Sequence, residues 1–337
     1  MYHLIKAADP AAQIFAGTIV QPTELRLQYL DMILASYRQQ FGEPMPVDGW
    51  SIHAFILNEV SCAYDPGNCW GAEIPPGIDA PYGEVLTIED NDRIDLFIER
   101  IERFRYWMKD RGYANKPLYL TEYGILMPPD YGFGADRVNA FMNKTFDYLS
   151  TARQSGLGYA PDGDRLVQRW SWFSTATTSS NGWLFDPVTL QLTEIGQNFA
   201  AYTGNVPRVT DFFPVSLSSS PSSPFSLGTP VNLELHATIA NDGNQQLPTG
   251  PVLVQFYNGD PAQGGTLIGQ VNTEPLAGCG STNTVSVSWE GVQPGVYQVF
   301  VVVDSGNIIA EDDENNNIQS FIVLLSTNQS YLPNNAR

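Results

Sequence analysis

The feature that most constrains this chain is a change of hydrophobic period near residue 205. Upstream, apolar runs of strand length at 12–20, 47–55, 117–123 and 166–173 alternate with amphipathic helical stretches at 23–41, 88–111 and 135–155. A short helix at 194–202 follows the fourth run. Within 88–111, Ile94, Phe97, Ile98, Ile101, Phe104 and Met108 recur at three- and four-residue spacing. Asp95, Glu99, Glu102 and Arg103 fall between them, as in a helix that covers a sheet. Repeated strand–helix alternation implies parallel strands joined by right-handed crossovers. Periodicity alone leaves a small open sheet and half of an eightfold barrel both standing.

Downstream the helical period vanishes. Residues 216–224 are rich in Ser and Pro and read as a linker or irregular edge. Short β-type runs follow at 231–240, 252–257, 266–271, 284–289, 295–304 and 318–325. Turn signals separate them: Asn241-Asp242-Gly243, Gly264-Gly265 and Gln293-Pro294-Gly295. This spacing predicts an all-β sandwich of about 110 residues. The expected organisation is an α/β domain at 1–204, a β-sandwich at 205–326 and a polar tail at 327–337.

The balance of 17 Lys and Arg against 36 Asp and Glu gives a net charge of -19. A field of that sign repels phosphate backbones and disfavours nucleic acid as a partner, but it suits neutral substrates such as sugars. No run of about 18 apolar residues suggests a membrane span, and no basic patch followed by an apolar stretch marks a leader. The histidines His3, His53 and His236 lie far apart, and no Cys/His cluster has metal-ligand spacing, so neither metal nor cofactor is expected. Cys62 and Cys69 fit either a small disulfide or two free thiols, and Cys279 stands alone.

The chemistry concentrates at strand ends. In Lys116-Pro117-Leu118-Tyr119-Leu120-Thr121-Glu122-Tyr123-Gly124 an apolar strand runs into a carboxylate. The carboxyl ends of parallel barrel strands form the active-site face, so Glu122 is a candidate catalytic carboxylate; a surface glutamate closing a strand is the plainer reading. In Asp48-Gly49-Trp50-Ser51-Ile52-His53-Ala54-Phe55 the period of two puts Ser51, His53 and Phe55 on one face. Gln168-Arg169-Trp170-Ser171-Trp172-Phe173 carries two tryptophans on one face. A carboxylate, a histidine and flat indoles at successive strand ends form a sugar-binding constellation, unless the tryptophans only fill a core.

These segments, with Asn181-Gly182-Trp183-Leu184-Phe185-Asp186, Leu192-Thr193-Glu194-Ile195-Gly196 and the opening Ala7-Ala8-Asp9-Pro10-Ala11-Ala12-Gln13-Ile14, resemble strands 5–8 of the clan A glycoside hydrolases over residues 1–204. The resemblance implies a partial (β/α)8 barrel acting on carbohydrate with retention of configuration. It implies Glu122 as nucleophile, His53 as the residue orienting it, Trp172 as the floor of the subsite at the cleaved bond, and Trp170 and Tyr123 as further binding residues. The clan's general acid/base is a glutamate after an asparagine at the end of strand 4, and on this alignment the chain starts beyond it. Asn58-Glu59 has the right dipeptide but sits on the unit adjacent to Glu122, which argues against it; Glu59 is expected in a long loop at 57–85. A truncated sequence starting inside a helix at Met1, a degenerate protein and a half-barrel completed by a partner are the three explanations weighed, with truncation favoured.

The segments His236-Ala237-Thr238-Ile239-Ala240-Asn241-Asp242-Gly243 and Val303-Asp304-Ser305-Gly306, with the ending Glu311-Asp312-Asp313-Glu314-Asn315-Asn316-Asn317, resemble the CARDB (cell-adhesion-related) family over about 208–325. That resemblance implies an immunoglobulin-like sandwich trailing a secreted enzyme, hence an extracellular or cell-surface location. The acidic residues 311–314 suit either calcium or an Asx-rich turn. Function is read as a fragment of a secreted retaining glycosidase; the alternative is a carbohydrate-binding or adhesion protein without turnover.

Overall fold

The computed structural model describes residues 1–9, 12–177, 181–223, 225–226, 230–245 and 250–326. Pro10 and Ala11 of the opening motif, part of the expected linker and the polar tail at 327–337 lie outside them. The chain divides into two compact units, Met1–Asn205 and Val206–Arg337.

The first unit runs α1 (Tyr2–Ala8), β1 (Phe15–Ile19), α2 (Glu24–Phe41), β2 (Gly49–His53), α3 (Ile94–Asp110), β3 (Leu118–Tyr123), α4 (Ala135–Thr151), β4 (Arg169–Trp172) and α5 (Glu194–Gly204). The strands form one parallel sheet in the order β1-β2-β3-β4. With crossovers of one hand and no reversal of order, the connecting helices all fall on one face. That face is the core. Trp50, Ile52, Leu118, Leu120 and Tyr123 are at most 1% exposed. The Trp50 ring meets Phe104 and Trp107 of α3 at 6.1 and 4.8 Å. Tyr123 meets Phe97 of α3 at 5.1 Å, and Trp172 meets Phe146 of α4 at 6.3 Å. The apolar stripe read from 88–111 is thus the contact face of α3, but the sequence also hid buried guanidiniums in it. Arg105 is 0% exposed and donates to Lys116 O (3.0 Å), Gln168 Oε1 (2.7 Å) and Leu166 O. It thereby ties the starts of β3 and β4 to the helix. Burial pulls its pKa down to about 10, and the ring of acceptors stands in for the lost hydration.

Among the described residues, none of the helices that connect the strands covers the opposite face. Phe15 stacks on Tyr119 with ring centroids 4.1 Å apart, and the Arg169 guanidinium lies 5.9 Å from the Tyr119 ring. Thr121, Arg169 and Ser171 are exposed there. None of the residues of α1 is buried.

The second unit is all-β. Its strands are β5 (Phe212–Ser220), β6 (Phe225–Ser226), β7 (Val231–Asn241), β8 (Leu253–Asn258), β9 (Thr266–Asn272), β10 (Ser281–Val292), β11 (Gly295–Val303) and β12 (Ile318–Ser326). A three-stranded sheet β10-β7-β5 and a five-stranded sheet β6-β12-β11-β8-β9 supply the core, with Leu235, Ala237 and Ile239 from one and Phe256, Val299, Val301 and Val323 from the other, each 0% exposed. Where a linker or irregular edge was expected from residue 216, the chain continues β5, the edge strand of its sheet, to Ser220. The register shifts between Pro214 and Ser216, with Ser216 opposite Thr238 and Ser220 opposite Glu234. Backbone pairing with β7 holds this Ser-rich strand, and hydrophobicity does not register backbone pairing. Among the described residues no helix is long and apolar enough to cross a membrane.

Candidate active site

β2 and β3 are neighbours, and their register sets His53 opposite Glu122 at the carboxyl ends of both strands. His53 Nδ1 lies 3.6 Å from Glu122 Oε2, beyond hydrogen-bond length but within the range of charge interaction. The His53 side chain is 17% exposed and that of Glu122 is 41% exposed. Burial lowers the His53 pKa, opposed by the charge of Glu122, so the imidazole is neutral at pH 7. Among the described residues the Glu122 carboxylate accepts no hydrogen bond from the protein, while its backbone carbonyl receives Ala54 N at 3.1 Å. The result is an ionisable oxygen held by a rigid strand and open to solvent.

The next residues along each strand turn the other way. Tyr123 follows Glu122 and its ring enters the helical core at 0% exposure, so it presents no surface to a ligand at Glu122. This corrects its expected role as a binding residue. Trp172, paired with Tyr123, lies on the same side: it is 8% exposed, packs edge-on against Tyr123 at 5.5 Å and donates from Nε1 to Gly182 O at 2.6 Å. Trp170 pairs with Leu120 and is half-buried against the same core. The indoles therefore stabilise the strand end from behind. The core-filling interpretation of the two tryptophans accounts for both.

The aromatic residue that shares the Glu122 face is Phe173, which the sequence reading passed over. Its ring sits 5.8 Å from that of Phe55, which is buried and lies 6.0 Å from the His53 ring, so Phe173 is the partly exposed member of this aromatic row. The signal was the same period of two that placed Trp172 inward. Gly124 allows the close approach: a Cβ there would lie 2.7 Å from Phe173 O at a φ of +156°. Gly182 packs on the same carbonyl, where a Cβ would lie 3.0 Å away. Farther on, Thr193 caps α5 by accepting from Gly196 N at 3.0 Å and donates to Trp183 O at 2.7 Å. The segments around Asn181 and Thr193 thus support the strand end.

Glu59 is elsewhere. Its side chain is 0% exposed and pairs with Arg26 Nε at 2.8 Å, while Thr23 Oγ1 donates to it at 3.1 Å. It holds the long loop after β2 against α2. Cys62 and Cys69 in that loop are free thiols, with Cys62 Sγ 3.5 Å from Cys69 O. Hydrogen bonding to Cys69, with burial and Glu73 adding to it, pushes the Cys62 pKa up to about 12. Among the described residues no group of three or more His, Cys, Asp or Glu side chains could hold a metal ion.

Against this geometry, residues 90–199 match the family described as glycosyl hydrolase catalytic core, and residues 210–321 match CARDB. No curated protein sequence matches the chain. Among solved structures, it is similar to a CARDB domain from Pyrococcus furiosus in complex with di-metal ions (22% identity, 37% of this chain, 100% of that one, TM-score 0.29). It is also similar to a β-glucuronidase from Bacteroides uniformis (10% identity, 96% of this chain, TM-score 0.31) and a β-glucosidase from Listeria innocua in complex with glucose (15% identity, 68% of this chain, TM-score 0.24). The chain spans 30% and 33% of the length of these two glycosidases.

Proposed function

We propose that residues 1–205 are consecutive βα units of a (β/α)8 glycoside hydrolase and that Glu122 is its nucleophile. The observation that carries this reading is the exposed Glu122 carboxylate at the carboxyl end of a parallel strand, 3.6 Å from His53 on the adjacent strand. Both the sequential order of β1-β2-β3-β4 and the single helical face support a barrel arc; in a doubly wound sheet the order would reverse. The uncovered face, with Phe15, Tyr119 and Arg169, is then barrel interior.

In the retaining reaction a Glu122 oxygen attacks the anomeric carbon as the leaving-group oxygen is protonated by a second carboxyl about 5–5.5 Å away. Glu59 does not supply it, being buried against Arg26. The acid belongs to the barrel units that pair with the open edges of β1 and β4, in this polypeptide or another. Neutral His53 sets the polarity beside Glu122, and the partly exposed Phe173 ring, backed edge-on by buried Phe55, offers an apolar surface for a sugar ring. The CARDB unit carries no chemistry in this scheme; it spaces or attaches the enzyme outside the cell.

A second reading, a carbohydrate-binding surface protein without turnover, is favoured by the lack of a carboxylate partner for Glu122 in the described site. Azide separates the two. In a completed barrel Glu122→Ala abolishes hydrolysis of aryl β-glycosides, and added azide restores it with a glycosyl azide of inverted configuration. Full activity in that variant rules out Glu122 as nucleophile, and a completed barrel that binds sugar without turnover supports the second reading.

A further inference from the structure

One concavity of the first unit has neither Glu122 nor His53 in its lining. It is a groove of about 860 Å³ lined by residues of α2 and α3 and by residues 82–84. We infer that this groove is a second carbohydrate-binding site, on the helical side of the unit; the class of ligand rests on the glycosidase reading above.

Its volume falls in the range of small-ligand sites, about 300–1,000 Å³. Its walls mix polar and aromatic side chains with the apolar Leu25 and Leu27. Glu24, Gln28 and Asp110 line it, are exposed, and make no hydrogen bond or ion pair to the described protein, so their hydrogen-bonding capacity faces the groove. Tyr82 and Tyr106 line it too, and are 41% and 47% exposed. Planar carboxylates and amides that accept from neighbouring hydroxyls, beside aromatic faces that stack on C–H surfaces, are complementary to a pyranose chain. Arg103 and Arg111 also line the groove but are paired with Glu99 and Asp31. The unpaired carboxylates of Glu24 and Asp110 therefore set its sign and repel anions, and a wholly apolar ligand would desolvate them without compensation. A neutral oligosaccharide meets neither objection.

The site is also held in shape before any ligand arrives. The Glu59–Arg26 pair, without a role at Glu122, lies beneath it. Gly83 N donates to Glu59 O at 2.8 Å and Glu59 N to Glu84 O at 2.9 Å. Glu84 is fixed in turn by Arg100 at 2.7 Å. Gly83 has no alternative, because a Cβ there would lie 2.0 Å from Glu59 Oε2. The Tyr82 ring rests edge-on against Tyr64 at 5.2 Å. A wall fixed this way loses little entropy when it binds.

The test is retardation of the full chain in native gels cast with mixed-linkage β-glucan, arabinoxylan or galactomannan, using wild type, the Tyr82→Ala/Tyr106→Ala double variant and Glu122→Gln. Both tyrosines are exposed, and circular dichroism checks that the double variant stays folded. The inference predicts retardation of wild type by at least one polymer, weakened about tenfold in the double variant and unchanged in Glu122→Gln; tenfold corresponds to about 1.4 kcal/mol. A double variant that runs like wild type, or a wild type retarded by none of the three, overturns it. Binding lost only in Glu122→Gln also overturns it, while leaving the role of Glu122 intact.

Discussion

His53 Nδ1 stands 3.6 Å from Glu122 Oε2, and burial and the Glu122 charge pull the His53 proton equilibrium in opposite directions. Burial favours the neutral imidazole, whereas the carboxylate favours the charged one. Removing the carboxylate charge leaves burial unopposed. Glu122→Gln is therefore expected to lower the His53 pKa further, as read from the pH titration of its ring proton by NMR. A rise, or no change, would show that the pair does not interact in solution.

Phe173 and Trp172 are chain neighbours with opposite duties. Trp172→Ala opens a cavity between the sheet and α4 and is expected to cost about 3–5 kcal/mol in denaturant unfolding of the first unit. Phe173→Ala removes a half-exposed ring beside the site, so stability falls less while binding or labelling at Glu122 weakens. Equal stability losses with no change at Glu122 would place Phe173 in the core instead.

In the second unit Glu311 receives Asn317 Nδ2 at 2.8 Å and the backbone NH of Phe212, joining the turn at 311–317 to the start of β5. Burial raises its pKa from 4.5 to about 7, with Glu314 and Asp304 adding to the shift. The folded unit therefore keeps a proton that the unfolded chain releases above about 4.5. Its contribution to stability is present in full below that pH and is lost as pH rises through 7. Thermal unfolding should show a second unit more stable at pH 5 than at pH 8, with the difference reduced in Glu311→Gln. An unchanged slope in that variant would assign the pH dependence to other groups.

Much of this was legible because period carries face. The three- and four-residue spacing in 88–111 gave the buried side of α3, and the ends of two strand-like runs gave His53 and Glu122 as strand-end residues. Alternation in β4, carried one residue farther, would have turned Trp172 inward and found Phe173. Strict alternation from Leu118 and Leu120 would leave Tyr123 outward; the bulge between Leu120 and Tyr123 turns it in. A family resemblance assigns roles by motif, whereas burial assigns them by face. Arg105 was invisible because a guanidinium in a charged-looking helix reads as solvated until its carbonyl partners, brought from Lys116 and Leu166, are in place. The serines of β5 were missed because small polar side chains do not reveal backbone pairing to β7.

The central claim, that Glu122 is a glycosidase nucleophile, is tested most directly by covalent trapping. 2,4-Dinitrophenyl 2-deoxy-2-fluoro-β-glycosides expel a leaving group so weakly basic that it departs unprotonated, which removes the need for a second carboxyl. The Glu122 oxygen bonds to the anomeric carbon, dinitrophenolate carries away the electron pair, and the fluorine slows hydrolysis of the adduct. The account predicts that intact-protein mass spectrometry finds one deoxyfluoroglycosyl group added by at least one of the gluco, xylo and manno reagents, mapped to Glu122 and absent from Glu122→Gln. An adduct on another carboxylate, or none from any of the three, would contradict it.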